Sequence, residues 1–207
     1  MPPARPLPPS FYARPTLQVA ADLIGMRLRH EAPDGTAAGV IVEVEAYIGE
    51  DDPACHAAAG PTARNAPLYG PPGLAYVYFN YGMHWLVNAV TESDGAPAAV
   101  LIRALEPVEG IDLMRARRAS RRASGDIGFA GTDADLCRGP GNLTRALGIT
   151  GTENRQPLWE GPLRIERPAR RPSRPVAWSP RIGIRVGQDR PWRAYVVGHP
   201  AVSGRPR

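Results

Sequence analysis

A chain of 207 residues with 43% hydrophobic content is sized for one domain with a sizeable core, and no run approaches the ~20 consecutive apolar residues that cross a bilayer. Its 25 basic against 20 acidic side chains give a formal charge of +5, a balance that favours anionic partners, nucleic acid first. All 25 basic residues are arginine, so no lysine is present to form a Schiff base with an opened sugar. The same bias, with 22 Gly and 24 Pro, fits a GC-rich coding sequence. Met1-Pro-Pro-Ala-Arg-Pro lacks the apolar run of a secretory signal, so a cytoplasmic protein is expected, with residues 1–10 disordered. Cys55 and Cys137 are far apart and form neither a disulfide framework nor a Cys-x-x-Cys site.

In chain order, Thr16–Met26 carries Leu17, Ala20, Ala21 and Ile24 at helical spacing, with Thr16 as N-cap and Gly25 as stop. Gly39–Ile48 changes to period two, with Val40, Val42, Val44, Ala46 and Ile48 on one face and Ile41, Glu43, Glu45 and Tyr47 on the other. Carboxylates on an apolar strand are costly to bury unpartnered. Glu43 and Glu45 therefore need a structural partner or a catalytic task, and the pattern alone weighs these equally. Asp51, Asp52, Cys55 and His56 are metal-ligand types, but no second His or Cys stands nearby at zinc spacing and Asp-Asp-Pro favours a turn; no metal or cofactor is expected.

Ala75–Tyr81 and His84–Thr91 are strand-like runs joined around Gly82, a hairpin that puts Tyr76 and Tyr78 on one face and Tyr81 in the turn. Most aromatics on strands are packing residues, His84 and Trp85 among them. A tyrosine at a hairpin tip has little core to enter, and beside arginines it suits base stacking. Ala99–Leu105 is an apolar strand that carries Arg103 on the face of Leu101 and Leu105. Glu109–Arg118 reads as a helix, followed by a basic, mobile connection. Asp133–Leu147 holds helical turns broken at Gly139-Pro140-Gly141, similar to the Pro-Gly hairpin of helix-hairpin-helix DNA binders, whose backbone amides can hold a phosphate. Residues 166–180 read as an Arg/Pro-rich surface loop, and Arg181–Val186 and Arg193–Val197 as closing strands. No internal repeat is present.

Seven segments in register, Ala21-Asp-Leu-Ile-Gly, Ile41-Val-Glu-Val-Glu-Ala-Tyr-Ile-Gly, Asp52-Pro-Ala-Cys-His, Gly73-Leu-Ala-Tyr-Val-Tyr-Phe-Asn-Tyr-Gly-Met-His, Val100-Leu-Ile-Arg-Ala-Leu-Glu-Pro, Leu136-Cys-Arg-Gly-Pro-Gly-Asn-Leu and Arg181-Ile-Gly-Ile, span nearly the whole chain. Together they resemble the alkyladenine (3-methyladenine) DNA glycosylase family. The resemblance implies a single mixed α+β domain over residues 1–207, a curved antiparallel sheet flanked by short helices. It also implies a monofunctional enzyme that hydrolyses the N-glycosidic bond of alkylated or deaminated purines flipped from double-stranded DNA, acting as a monomer without cofactor.

Under that resemblance Glu45 matches the catalytic general base, Arg103 the arginine that holds water and carboxylate, and the carbonyl of Ile182 the remaining contact to the water. Tyr47, His56 and Tyr78 match the walls around the flipped base, Asn88 the residue that crowds the 2-amino group of guanine, and Tyr81 the wedge that fills the gap in the duplex. Arg64, Gly139, Gly141, Arg138 and Arg145 are candidates for the DNA backbone. Two departures stand out: Asn142 takes the place of a usual lysine after Gly-Pro-Gly, and Thr62-Ala-Arg-Asn-Ala-Pro-Leu-Tyr the place of Thr-Pro-Arg-Asn followed by Met-Phe or Met-Tyr.

Two rivals remain at this level. A bifunctional glycosylase/lyase would have to use the amine of Pro2 exposed by loss of Met1, which has no carboxylate nearby in sequence to assist it. A non-catalytic lesion-binding module would use the same aromatic pocket but would have no need of Glu45 and Arg103.

Overall fold

The computed structural model describes residues 5–121, 127–169 and 174–204. In chain order the elements are β1 (Arg5–Pro6), α1 (Pro9–Tyr12), α2 (Thr16–Leu23), β2 (Arg27–Ala32), β3 (Gly35–Ile48), β4 (Ala75–Asn80), β5 (His84–Val90), β6 (Ala98–Glu109) and α3 (Ile111–Arg118). They continue with β7 (Ser120–Arg121), β8 (Ile127–Gly128), α4 (Asp133–Leu136), α5 (Pro140–Leu147), β9 (Leu163–Arg167), β10 (Val176–Ser179) and β11 (Arg193–Val196). Single 3-10 turns lie at His56–Ala59, Ala66–Tyr69 and Gly151–Glu153. The architecture is the mixed α+β type expected, a curled antiparallel sheet with short helices against it.

Strand β3 organises the sheet. One edge pairs β6 from Ala38 to Ile48, while the other is shared by β2 over Gly35–Val40 and β11 over Glu43–Glu45. The full order is β1-β9-β2-β3-β6-β5-β4, with β10 on β11. Splitting one edge between two partners makes the sheet diverge as it twists, which produces the curl. Val42, Val44 and Ala46 join Val100, Ile102 and Ala104 in the main core, with Val19, Ala20 and Leu23 of α2 and Leu143, Ala146 and Leu147 of α5. Each valine, leucine or isoleucine among them contributes about 1.5–3 kcal/mol when buried. The opposite face of β3 is left to Glu43, Glu45 and Tyr47, and the β3–β6 register is irregular between Ile41 and Val44, beside Arg103.

Several expected boundaries are corrected. Thr16 is the first residue of α2 rather than its cap; its backbone N–H and its hydroxyl both donate to the Glu92 carboxylate at 2.6 Å, so the cap comes from the β5–β6 connection. Helix α3 starts at Ile111 because β6 continues through Glu109. The turn between them needs Gly110, whose φ is +71° and where a Cβ would stand 2.2 Å from the Thr36 carbonyl oxygen. Residues 5–10 are not disordered: Arg5 and Pro6 pair with Arg167 and Glu166, and Leu7 is buried. Residues 1–4 lie outside the described residues, as do 122–126 of the basic connection, which is flanked by the paired β7 and β8.

Residues 166–180 are not one surface loop. Strand β9 extends to Arg167 and is covered by β1 and β2, and β10 forms at Val176–Ser179 on β11; 170–173 are outside the described residues. Arg181–Val186, in turn, is not a strand: the Ile182 N–H donates to the Glu45 carboxylate and the Arg181 side chain to Asp52. Among the described residues no helix is long and apolar enough to cross a membrane.

Candidate active site

A cavity of about 370 Å³ opens between the β4–β5 hairpin, the 54–56 turn and the 182–184 segment, within the size range of ligand sites. Its lining includes Tyr47, His56, Tyr76, Tyr78, Asn88 and Arg103, with Leu86, Ala99 and Leu101 as an apolar floor and Tyr81 and Pro140 at the rim. The topology explains the convergence. Residues 45 and 47 point the same way by strand alternation, Leu101 pairs both Glu45 and Asn88, and Tyr76 pairs Asn88.

Behind this lining lie two carboxylates, both 0% exposed. Glu43 accepts from Arg103 Nε at 2.9 Å, Arg193 Nε at 2.7 Å, the Ser203 hydroxyl at 2.9 Å and the Ser203 backbone N–H at 2.6 Å. Three of these donors fall on Oε1 and one on Oε2, and of the residues that supply them only Arg103 lines the cavity. Glu45 has three donors: the Ile182 N–H on Oε1 at 2.6 Å, and the Tyr47 hydroxyl at 2.8 Å and Arg103 Nη1 at 3.2 Å on Oε2. With about four acceptor positions to a carboxylate, one remains, on Oε1, and Tyr47, Arg103 and Ile182 all line the cavity. The Ile182 contact to the carboxylate is thus made by its amide.

Arg103 is the link between the two acids, and its third nitrogen donates to the Ser203 hydroxyl at 3.1 Å. Burial alone would lower its pKa, but Glu45 and Glu43 outweigh that and hold it above the ordinary arginine value. The Tyr47 hydroxyl is pushed well above the tyrosine range, first by burial and then by the Glu45 charge, so it stays a donor to that carboxylate.

On the other side of the cavity, burial and then the Arg64 charge push the His56 pKa below its ordinary value, which leaves the imidazole neutral at neutral pH. Its Nδ1 is 2.8 Å from the Tyr76 hydroxyl, whose pKa is pushed up to about 12, chiefly by burial. Tyr76 and Tyr78 lie with ring centroids 5.1 Å apart, and His56 and Tyr78 meet edge-on at 4.5 Å. A planar base stacked between two rings needs about 7 Å, twice the ~3.5 Å carbon contact distance. Insertion between His56 and Tyr78 therefore requires those rings to part. Asn88, buried, donates its side-chain amide to the Tyr76 carbonyl at 2.9 Å, which turns its oxygen toward the remaining space.

Tyr81 sits in the three-residue turn between β4 and β5, 81% exposed and at φ +50°. Arg64 reaches the same hairpin, donating to the Phe79 carbonyl at 3.1 Å and lying 5.5 Å from the Tyr78 ring centroid. Its loop is closed by buried Asn65, which donates to the carbonyls of His56 and Gly60, both at 2.8 Å. Gly139 precedes α5 at φ +97° and Gly141 packs on His84, so this turn adjoins the hairpin and places Pro140 at the cavity rim. Asn142 donates to the Arg138 carbonyl at 2.7 Å. Arg138 pairs with Asp135 and the Pro200 carbonyl. Arg145 points elsewhere, donating to the carbonyls of Arg117 and Ala119 at 2.8 Å, and does not line the cavity.

Reading the sequence missed the supporting residues Arg193, Ser203, Asn65 and the pair Asp52–Arg181. Arg193 had a signal, a charge opening an apolar strand, as Arg103 did; Ser203 had none. Of the suspected metal cluster, Asp52 is spent on Arg181 and Cys55 is a buried free thiol. Among the described residues no three His, Cys, Asp or Glu side chains are grouped to hold a metal ion.

Aromatic rings and Arg103 thus line the cavity, the Glu45 carboxylate lies buried behind it, and an exposed tyrosine stands at its rim. The family model for methylpurine-DNA glycosylase (MPG) matches residues 10–200, and the chain belongs to that family. It is 48% identical over 200 residues to a Burkholderia cenocepacia protein (96% of this chain, 91% of the relative) and 47% identical over 204 residues to one from Methanoculleus marisnigri (96% and 99%). A third, from Rhodopseudomonas palustris, is 46% identical over 198 residues (96% and 90%). All three carry the name "Putative 3-methyladenine DNA glycosylase".

Proposed function

We infer that this protein is a monofunctional 3-methyladenine DNA glycosylase of base excision repair, which releases alkylated and deaminated purines by hydrolysis. The observation that carries the mechanism is the contrast between the two buried acids: of the residues bonded to Glu43 only Arg103 lines the cavity, whereas all three donors to Glu45 belong to lining residues and its Oε1, with one donor, keeps an acceptor position. A water on that position is the nucleophile. Glu45 takes its proton as it attacks the sugar carbon, and Arg103 donates to the carboxylate and aims it. Tyr47, Tyr78 and His56 hold the base; positively charged alkylpurines are good leaving groups and gain from cation–π attraction to the rings. Tyr81 fills the vacated stack. Arg64 and the Gly139–Gly141 turn lie nearest the rim to meet the DNA backbone, whereas Arg145 is a weaker candidate because carbonyls engage it. Every group in this scheme comes from one chain, so a monomer acting as one domain suffices. Base release from duplexes carrying 3-methyladenine, 7-methylguanine, hypoxanthine or ethenoadenine tests the reading; tight binding without release would leave a lesion-binding module instead.

Two selectivity predictions arise here. Asn88→Ala opens space beside the Tyr76 carbonyl, so release of 7-methylguanine relative to hypoxanthine rises several-fold. Unchanged relative rates would remove Asn88 from the discrimination. For His56 the sign follows from its depressed pKa: the neutral ring stabilises the fold fully above the unfolded value of about 6.5, and this is lost as pH falls below it. An imidazolium in the wall would repel a cationic base and not a neutral one. The 7-methylguanine to hypoxanthine excision ratio is thus expected to fall as pH drops from 7.5 to 5, and the extra fall to vanish in His56→Gln.

A further inference from the structure

Arg181 lies outside the cavity wall, yet its contacts close a ring around the catalytic carboxylate. Its guanidinium forms a two-pronged ion pair with Asp52, Nη1 to Oδ2 at 2.5 Å and Nη2 to Oδ1 at 2.7 Å. Nη1 also donates to the Ala46 carbonyl at 3.0 Å and Nη2 to the Gly187 carbonyl at 3.3 Å. Both side chains of the pair are 0% exposed. The guanidinium lies 4.6 Å from the ring centroid of Tyr47 and 5.2 Å from that of Trp192.

Three consequences converge on Glu45. The Ala46 carbonyl, held by Arg181, belongs to the peptide that joins Ala46 to Tyr47. The Tyr47 ring, backed by the guanidinium, is both a cavity wall and a donor to Glu45. The residue after Arg181 supplies the amide that donates to Glu45 Oε1. One side chain thus fixes two of the three donors to the carboxylate through contacts that never reach a bound base. We propose that Arg181, anchored by Asp52, is a positioning residue for the hydrolytic step, setting the Ile182 amide and the Tyr47 hydroxyl on Glu45. This rests on the assignment of Glu45 as general base.

A planar fork that binds a carboxylate with two nitrogens while stacking on an aromatic face cannot be replaced by lysine, which keeps the charge but neither the fork nor the stack. Displacements of about 1 Å in a reacting constellation can cost ~10²-fold. Arg181→Lys is therefore expected to leave abasic-duplex affinity within a few-fold, while single-turnover release of hypoxanthine and of 7-methylguanine both fall by roughly 10- to 100-fold. A purely structural ion pair predicts otherwise: rate and affinity fall together, in proportion to the folded fraction seen by near-ultraviolet circular dichroism.

Asp52→Asn, which loosens the anchor and leaves Arg181 in place, should give the same split at smaller size. In Arg181→Ala, millimolar guanidinium should restore part of the rate where equal sodium chloride or urea does not. Wild-type release rates in Arg181→Lys and Asp52→Asn, or rate and affinity falling together with the folded fraction, would overturn the proposal. Failure of the wild type to release either base, or normal release by Glu45→Gln, would instead overturn the reading of Glu45 on which it rests.

Discussion

Glu45→Gln is expected to abolish base release while the lesion duplex still binds within a few-fold. An amide cannot take a proton from water, and loss of a general base commonly removes ~10² to 10⁴ in rate. The structure adds a stability cost to what is otherwise an isosteric change. With its oxygen on the Ile182 N–H, the amide nitrogen faces Tyr47, whose hydroxyl can turn to accept, and Arg103 Nη1, which cannot. One buried guanidinium donor is left unmatched, worth about 1–3 kcal/mol. A lower melting temperature with an intact two-state transition should accompany the lost activity. Single-turnover release at the wild-type rate on an otherwise normal duplex would exclude Glu45 from the chemistry.

The second large effect concerns Tyr81, whose ring has no core position to lose. Tyr81→Ala should leave the melting temperature nearly unchanged, because the left-handed φ of +50° burdens alanine as it does tyrosine. Without the ring, the gap in the duplex loses a stacking contact worth ~1–3 kcal/mol, so affinity for an abasic duplex should fall about ten-fold or more. A 2-aminopurine beside the lesion should report less unstacking, and the defect should be milder at a mismatch, where less pairing is broken. Tyr81→Gly separates fold from function further: it relieves a left-handed conformation that costs a residue with a Cβ roughly 1–2 kcal/mol, so it should melt higher while flipping as poorly as the alanine variant. A lower melting temperature with an unaltered 2-aminopurine signal would show that Tyr81 packs rather than wedges.

Local pattern was enough for the parts of this protein that depend on neighbours in sequence. Period-two alternation put Glu43, Glu45 and Tyr47 on one face, the hairpin around Gly82 put Tyr81 at a tip, and Arg103 declared itself as a charge in an apolar strand. Seven segments in register resembled one glycosylase family, to which the chain belongs. The roles of the two acids, however, came first from that resemblance, because strand pattern weighs Glu43 and Glu45 alike. Their difference is written in residues 137 to 160 positions away: Ser203 and Arg193, which do not line the cavity, hold Glu43, while the amide of Ile182, which does, holds Glu45. The same distance hid Arg181. Its segment reads as a strand by composition, but the Ile182 N–H serves the Glu45 carboxylate and the Arg181 guanidinium a buried aspartate, and no ladder forms. Residues 5–7 and 166–167 likewise read as disordered chain and surface loop by composition, yet they pair with each other at the sheet edge. Periodicity reports which face a residue takes, whereas the partner that satisfies a buried charge or an open strand edge is fixed only when distant segments meet.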